Sequence, residues 1–294
     1  MNKKPVFTGV ATALVTPTCE QGVDYAHLAK LIDFQIDAGV AALVVCATTG
    51  EAPTLQDDEH LETLAFAVQR AAGRIPVIAG TGSNDTAHAV MMTRRACELG
   101  VDAILAVTPY YNKPPQSGLI RSFYTIADAS QKPVIVYNVP SRTSVNIEPA
   151  TYAALAKHPM IYGIKEANGN IAQIVETFSL VGGELSIYSG NDDQIVPILS
   201  MGGKGVISVL SNVAPRQAVQ MCRKYFEGDT AGAAGLQCEL LPLVKALFSQ
   251  TNPIPVKAAL ARMGLCQDHL RLPLIPMEEP YRGRLYAVMD QLGL

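Results

Sequence analysis

Ile161-Tyr162-Gly163-Ile164-Lys165-Glu166-Ala167 reads as a strand that is apolar on both faces and carries one lysine at its exit. Strands of this kind belong to parallel sheets covered on both sides, where a charge is rarely kept without a task. Removal from water disfavours the ammonium form, so Lys165 is expected to have a lowered pKa and a free amine near neutral pH. Such an amine can add to a keto carbon and form a Schiff base. A lysine at the point where a strand meets water would need no such role, so the reading depends on what surrounds it.

On either side of this stretch, short apolar runs alternate with helical periodicity. Strands are predicted at 10–16, 41–47, 76–79, 103–107, 133–137, 161–165, 185–188 and 205–209. Helices are predicted at 25–38, 85–99, 117–129, 149–157, 171–181 and 194–201, and from Thr54 to Gly73. Thr54 is expected to cap that last helix, with Asp57 three residues on as in a capping box. Strands and helices alternating at this spacing form parallel βαβ units, and eight such units suit a closed α/β barrel, the (β/α)8 TIM barrel. An open doubly wound sheet would more often carry a Gly-rich first turn. Gly80-Thr81-Gly82 does not complete that pattern, and Met201-Gly202-Gly203-Lys204-Gly205 is not a P-loop. After Asn212 only helical patterns remain, at 215–226, 231–248, 255–262 and 281–292. The expected organisation is a barrel over 1–228 that holds the active site, with a small C-terminal helical module over 229–294 packed on it.

Composition narrows the function. Of 294 residues, 49% are apolar and 17% charged, with a net charge of −3, which gives no electrostatic case for nucleic acid or an anionic membrane. Small neutral or anionic substrates remain open. Cys19, Cys46, Cys97, Cys222, Cys238 and Cys266 show no CxxC spacing and several lie in apolar runs, which points to a reducing, cytoplasmic setting. His27, His60, His88, His158 and His269 form no ligand motif, so neither a metal nor a cofactor is expected. The start Met1-Asn2-Lys3-Lys4-Pro5 lacks an apolar core, and no run reaches the ~18 apolar residues of a membrane span. The chain is therefore expected to be neither exported nor anchored.

Barrel chemistry gathers at the C-terminal ends of the strands. Those ends hold Thr48-Thr49-Gly50-Glu51, Gly80-Thr81-Gly82, Pro109-Tyr110-Tyr111-Asn112, Tyr137-Asn138-Val139-Pro140, Lys165-Glu166-Ala167, Ser189-Gly190-Asn191-Asp192 and Ser208. Convergence would bring Lys165 near the Tyr137 phenol, one strand over, and the Thr48 hydroxyl. Small residues at Thr49-Gly50 would leave backbone N–H groups free for a carboxylate. Each motif alone is also an ordinary turn or packing feature.

Together they resemble the Schiff-base-forming class I aldolase barrels of the dihydrodipicolinate synthase family, and the resemblance covers nearly the whole chain. Tyr137-Asn138-Val139-Pro140-Ser141-Arg142-Thr143 and Gly205-Val206-Ile207-Ser208-Val209 extend it. The resemblance implies that Lys165 forms an imine with pyruvate, while Thr48, Thr49, Gly190 and Ile207 surround that substrate. It implies that Tyr137 exchanges protons near the imine, with Thr48 and Tyr111 extending the relay, and that Tyr111 serves a neighbouring subunit. Arg142 would bind the carboxylate of L-aspartate 4-semialdehyde, giving 4-hydroxy-tetrahydrodipicolinate on the route to lysine and diaminopimelate. The implied assembly is a homotetramer, a dimer of dimers.

A sugar-acid aldolase such as an N-acetylneuraminate lyase would keep Lys165 and Tyr137, but Arg142 beside Tyr110-Tyr111 speaks against its polyol pocket. A non-catalytic scaffold barrel would be expected to lack at least one of Lys165, Tyr137, Thr48 or Arg142. For Glu51 and Glu166 a structural role is expected. Lysine-inhibited members of the family bind that amino acid through positions matching Ala52, Pro53, Asp57, His60, Gly82, Asn84, His88 and Tyr110. Here His88 stands for a glutamate and Asp57 for a histidine, so weak or absent lysine inhibition is expected.

Overall fold

A computed structural model describes residues 3–294. Strand β1 (Gly9–Ala13) leads into a hairpin of β2 (Thr18–Cys19) and β3 (Gly22–Val23), then helix α1 (Tyr25–Asp37). The chain continues through β4 (Ala42–Val45), α2 (Asp57–Ala71), β5 (Val77–Gly80), α3 (Thr86–Glu98), β6 (Ala103–Val107) and α4 (Gln116–Ala129). Next come β7 (Val134–Asn138), a short α5 (Pro140–Thr143), α6 (Pro149–Leu155), β8 (Ile161–Glu166), α7 (Ile171–Val181), β9 (Ser186–Ser189), α8 (Ile195–Ser200) and β10 (Gly205–Ser208). Helices α9 (Pro215–Phe226), α10 (Thr230–Leu247), α11 (Ile254–Arg262) and α12 (Tyr281–Gln291) complete it. The strands pair in parallel in the order β1-β10-β9-β8-β7-β6-β5-β4, and β4 returns to β1 to close a (β/α)8 barrel.

Strand side chains alternate between the two sides of the wall. Ala11, Val44, Ile78, Leu105, Ile135, Tyr137, Tyr188 and Ile207 fill the interior. Val10, Leu43, Val45, Ile104, Val136, Ile164 and Val206 face the helices. The Tyr188 ring stacks on Phe7 with centroids 4.2 Å apart, and its hydroxyl donates to the Phe7 carbonyl at 3.0 Å. Closure of the wall requires a glycine at 205, because a Cβ there would fall 1.8 Å from the Gly9 oxygen. Lys3 ties down the N-terminal arm by donating to the carbonyls of Ala156, His158 and Ile161 at 2.7–2.8 Å, just beyond α6. A cation is well placed just beyond the C-terminal end of a helix, the negative end of its dipole.

One expected boundary is corrected. Thr54 does not cap α2: it lies in a single 3₁₀ turn, Ala52–Thr54, and its hydroxyl donates to the Glu51 carbonyl at 3.0 Å. That bond spends the hydroxyl on the preceding turn, so the helix starts at Asp57 with Gln56 before it. The hairpin of β2 and β3 and the short α5 were also not expected. Two-residue strands and a four-residue helix are too brief to carry a period.

Helix α10 packs along α8 and α9, α12 along α10 and α11, and α11 against the turn after β10. In α11 every residue from Ile254 to Leu260 is buried, Lys257 included. All six cysteines are free, and among the described residues no helix is long and apolar enough to cross a membrane.

Candidate active site

Register places the centre of the site. Lys165 on β8 is the cross-strand partner of Tyr137 on β7, both facing the barrel interior, and its Nζ lies 4.1 Å from the centroid of the Tyr137 ring. Lys165 is 4% exposed, which leaves almost no water around its amine. Burial pulls its pKa down to about 7; the Asp192 carboxylate opposes that shift and the Arg142 guanidinium adds to it. Burial pushes the Tyr137 phenol up to about 12, against the pull of Arg142 and the neighbouring Thr48 hydroxyl. The phenol therefore holds its proton at neutral pH, beside an amine that is about half free of one.

A cavity of about 720 Å³ opens above this pair, and its wall includes Thr48, Thr49, Arg142, Gly190 and Asn252. The turn after β4 closes when the Glu51 N–H donates to the Thr48 carbonyl at 3.1 Å. Cys46 and Glu51 bracket that turn with φ of 53° and 54°, a conformation that costs a non-glycine residue about 1–3 kcal/mol. The N–H groups of Thr48, Thr49 and Gly50 donate to no protein acceptor among the described residues, so they are available to an anion.

Arg142 sits in α5, directly after β7, and its guanidinium donates to the Asn252 carbonyl at 2.8 Å. Its other N–H groups have no acceptor among the described residues. Gly190 comes so close to β8 that a Cβ would lie 2.8 Å from the Ala167 Cβ, while its N–H donates to the Glu166 carbonyl at 2.7 Å. Ile207 is fully buried in the barrel interior with Tyr137, Ala167 and Tyr188, beneath the cavity wall rather than on it.

Glu166 faces the other side of β8. It accepts from the Tyr152 hydroxyl at 2.8 Å, the Asn138 amide at 3.0 Å and the Asn168 N–H at 2.9 Å. Burial raises its carboxyl to about 7 although these donors oppose the shift. Asp192 spends one oxygen on the N–H groups of Val209 and Leu210 at 2.9 and 2.8 Å, and burial raises its pKa. Both carboxylates hold strand ends in place.

Tyr111 stands apart from this centre. It is 89% exposed and has a φ of 72°, strained for a bulky side chain. A second cavity, of about 420 Å³, shares Thr48, Tyr137, Val139 and Arg142 with the first. Its wall brings together Ala52, Pro53, Asp57, His60, Gly82, His88 and Tyr110. Asn84 lies off that wall, its carbonyl taking the Asn112 amide at 2.8 Å. Asp57 and His88 pair with each other, Oδ1 to Nε2 at 2.9 Å.

Two residues with a direct hold on the site escape a motif search. Asn252 donates its amide to the Thr49 hydroxyl at 3.0 Å while its carbonyl holds Arg142. Lys257 forms a buried ion pair with Glu51. The sequence does contain a signal for Lys257, since a single lysine stands in the apolar run Ile254-Pro255-Val256-Lys257-Ala258-Ala259-Leu260.

A (β/α)8 barrel whose chamber presents a desolvated lysine at a strand end beside a protonated phenol is a Schiff-base-forming barrel of the class I aldolase type. Known proteins narrow that class. The Dihydrodipicolinate synthetase family profile matches residues 6–292. The chain is 49% identical over 291 residues to the 4-hydroxy-tetrahydrodipicolinate synthase of Thermoanaerobacter sp. (strain X514), covering 99% of this chain and 98% of that one. It is 50% identical over 291 residues to the synthase of Caldicellulosiruptor saccharolyticus, again covering 99% and 98%. The crystal structure of dihydrodipicolinate synthase from Aquifex aeolicus superposes with a TM-score of 0.96 at 44% identity, covering 98% of this chain and 99% of that one. The chain belongs to the dihydrodipicolinate synthetase family.

Proposed function

We propose that this chain is a lyase that condenses pyruvate with L-aspartate 4-semialdehyde to 4-hydroxy-tetrahydrodipicolinate, the step that opens lysine and diaminopimelate biosynthesis. The observation that carries the mechanism is the buried Lys165 amine over the Tyr137 ring. The amine adds to the keto carbon of pyruvate, and Tyr137 gives a proton to the departing hydroxyl so that water leaves and an imine remains. The N–H groups of Thr48 and Thr49 hold the pyruvate carboxylate, with Gly190 and Ile207 shaping the pocket. Loss of a methyl proton gives the enamine, whose carbon bonds to the aldehyde carbon as the aldehyde oxygen gains a proton. The amino group of the second substrate then attacks the imine carbon, closes the ring and releases Lys165. One water is lost in all, and the hydroxyl made from the aldehyde stays in the product.

Arg142 binds the semialdehyde carboxylate through the N–H groups that Asn252 leaves free. Arg142→Ala should lower kcat/KM for the semialdehyde about ten- to a hundredfold, the worth of a charge-assisted hydrogen bond, while the pyruvate imine still forms. The assay belongs above pH 8, where a small rise in the Lys165 pKa has no effect. Loss of the imine as well would make Arg142 a structural residue. Turnover with pyruvate and L-aspartate 4-semialdehyde but not with N-acetylneuraminate, read by mass spectrometry of the products, tests the reaction itself. Preference for the sugar acid would overturn it.

The exposed Tyr111 and the exposed apolar side chains Ile171, Val175 and Leu180 on α7 support a homo-oligomer, read here as a tetramer built from two dimers. The free cysteines support a cytoplasmic setting. The second cavity is read as the lysine-binding position of the family, with its anionic partner compromised. A ligand's ammonium would have to compete with His88 for the Asp57 carboxylate. Inhibition by L-lysine should therefore need concentrations above the millimolar range. Reversing the pair, Asp57→His with His88→Glu, should strengthen inhibition by about tenfold or more. A lysine titration of initial rates checks both. Sub-millimolar inhibition of the unaltered protein would show that the site works without the glutamate.

A further inference from the structure

We propose that the C-terminal helices are part of the pyruvate site, with Lys257 and Glu51 as positioning residues that fix the turn holding the substrate carboxylate. The inference rests on the reading of Thr48-Thr49 as that turn. Its starting point is a lysine in a helix with no exposed face. An ammonium has three N–H bonds to satisfy, and leaving one empty in such a place is costly. Lys257 is held by an ion pair with Glu51 Oε1 and by donating to the Thr18 hydroxyl at 2.9 Å and to the His269 carbonyl at 2.8 Å. Neither charged side chain is more than 1% exposed. The second Glu51 oxygen accepts the Arg271 N–H at 3.3 Å.

The grip lands on a segment that needs holding. Glu51 has a φ of 54°, which an ordinary residue keeps only when its surroundings over-determine it. Its N–H closes the turn on the Thr48 carbonyl, so the orientation of the peptide planes from Thr48 to Gly50 depends on where Glu51 sits. Little slack exists behind the turn, because a Cβ on Gly50 would meet the Thr16 hydroxyl at 3.0 Å and Cys46 at 3.2 Å. Just before Lys257, Asn252 holds Thr49 with its amide and Arg142 with its carbonyl. The segment from Asn252 to Lys257 thus touches the holders of both substrates.

Stability alone does not account for an ionic contact here. A buried ion pair is generally no better than well-packed apolar side chains of the same volume, although removing one partner is strongly destabilising. A charge pair does impose a direction on Glu51 that an apolar contact cannot.

The test separates positioning from folding. Wild type, Lys257→Met, Glu51→Gln and the double variant are compared by thermal melting and by steady-state kinetics in both substrates. The expected result is a KM for pyruvate raised about tenfold in Lys257→Met, the loss of one well-aligned charged contact, with kcat and the KM for the semialdehyde within about threefold. Glu51→Gln moves the same way by less. The double variant melts closer to wild type than Lys257→Met because no charge is left buried alone, yet its pyruvate KM stays high. If Lys257→Met does not fold, the other two variants carry the comparison. A pyruvate KM within about twofold of wild type in any folded variant, or one that recovers in the double variant along with its stability, overturns the inference. A wild-type protein that forms no imine with pyruvate would remove the functional reading itself, and this one with it.

Discussion

Lys165→Met should lose condensation by roughly a thousandfold or more, since no other group in the chamber can take over as the nucleophile. Borohydride in the presence of pyruvate should add a pyruvate-derived mass to the wild-type peptide that contains Lys165, and to no peptide of the variant. The rate of trapping should follow the free amine. With its pKa lowered to about 7 by burial, Lys165 is mostly protonated and unreactive below that value and mostly free above it. Trapping should therefore climb as pH rises through about 7 and level off by about pH 8, whereas an exposed lysine would keep gaining up to its ordinary value near 10.4. Lys165→Met should also fold at least as stably as wild type, because it removes an amine whose burial disfavours its charged form. A label on another lysine, or wild-type trapping that still climbs at pH 9, would sink this assignment.

The barrel was legible because its signal is periodic and repeated. Each βα unit carries its own apolar run and helical stripe, so an error in one unit does not spread to the next. The strands read from the sequence overlap all eight barrel strands, with ends shifted by a few residues. What escaped was local and short. Thr54 has the residue type and spacing of a cap, but Pro53 lies in the 3₁₀ turn before it and the hydroxyl bonds back to Glu51. Asp192 in Ser189-Gly190-Asn191-Asp192 does begin a helical turn, Asp192–Gln194, but the reach of its carboxylate to the N–H groups of Val209 and Leu210 on the next unit is tertiary.

The site divides in the same way. Lys165, Tyr137, Thr48, Thr49, Arg142 and Gly190 lie at or just beyond strand ends, so knowing the strands was enough to expect them at one mouth, and they line one cavity. Ile207 follows the same logic but faces the packed interior below the cavity. Asn252, Lys257 and the Asp57–His88 pair depend on how distant segments dock. Asn252 meets Thr49 from 203 positions away, a separation that no local period encodes. The pairing of Asp57 with His88 is equally tertiary: the sequence shows two exchanged residue types, and only the packing of α2 beside α3 shows that they face each other.

Tyr111 combines a strained backbone with a phenol turned to solvent. Strain of about 1–3 kcal/mol is kept where it serves a site, and among the described residues no hydrogen bond of the Tyr111 side chain repays it here. A place in the proton relay of a neighbouring subunit would account for both features. Tyr111→Phe should then lower kcat by about a hundredfold, the usual scale for a group that moves a proton, with little change in melting temperature. Mixing it with Lys165→Met should recover activity that neither variant has alone. A hybrid dimer contains one site with wild-type Lys165 and a wild-type Tyr111 from across the interface, while its other site lacks both. With complete exchange half of the dimers are hybrids, so about a quarter of all sites are intact, and recovery should approach a quarter of the wild-type rate. Labelled subunits followed by native mass spectrometry would confirm that exchange took place. Demonstrated exchange without recovered activity would place Tyr111 outside the relay and leave its strain to another cause.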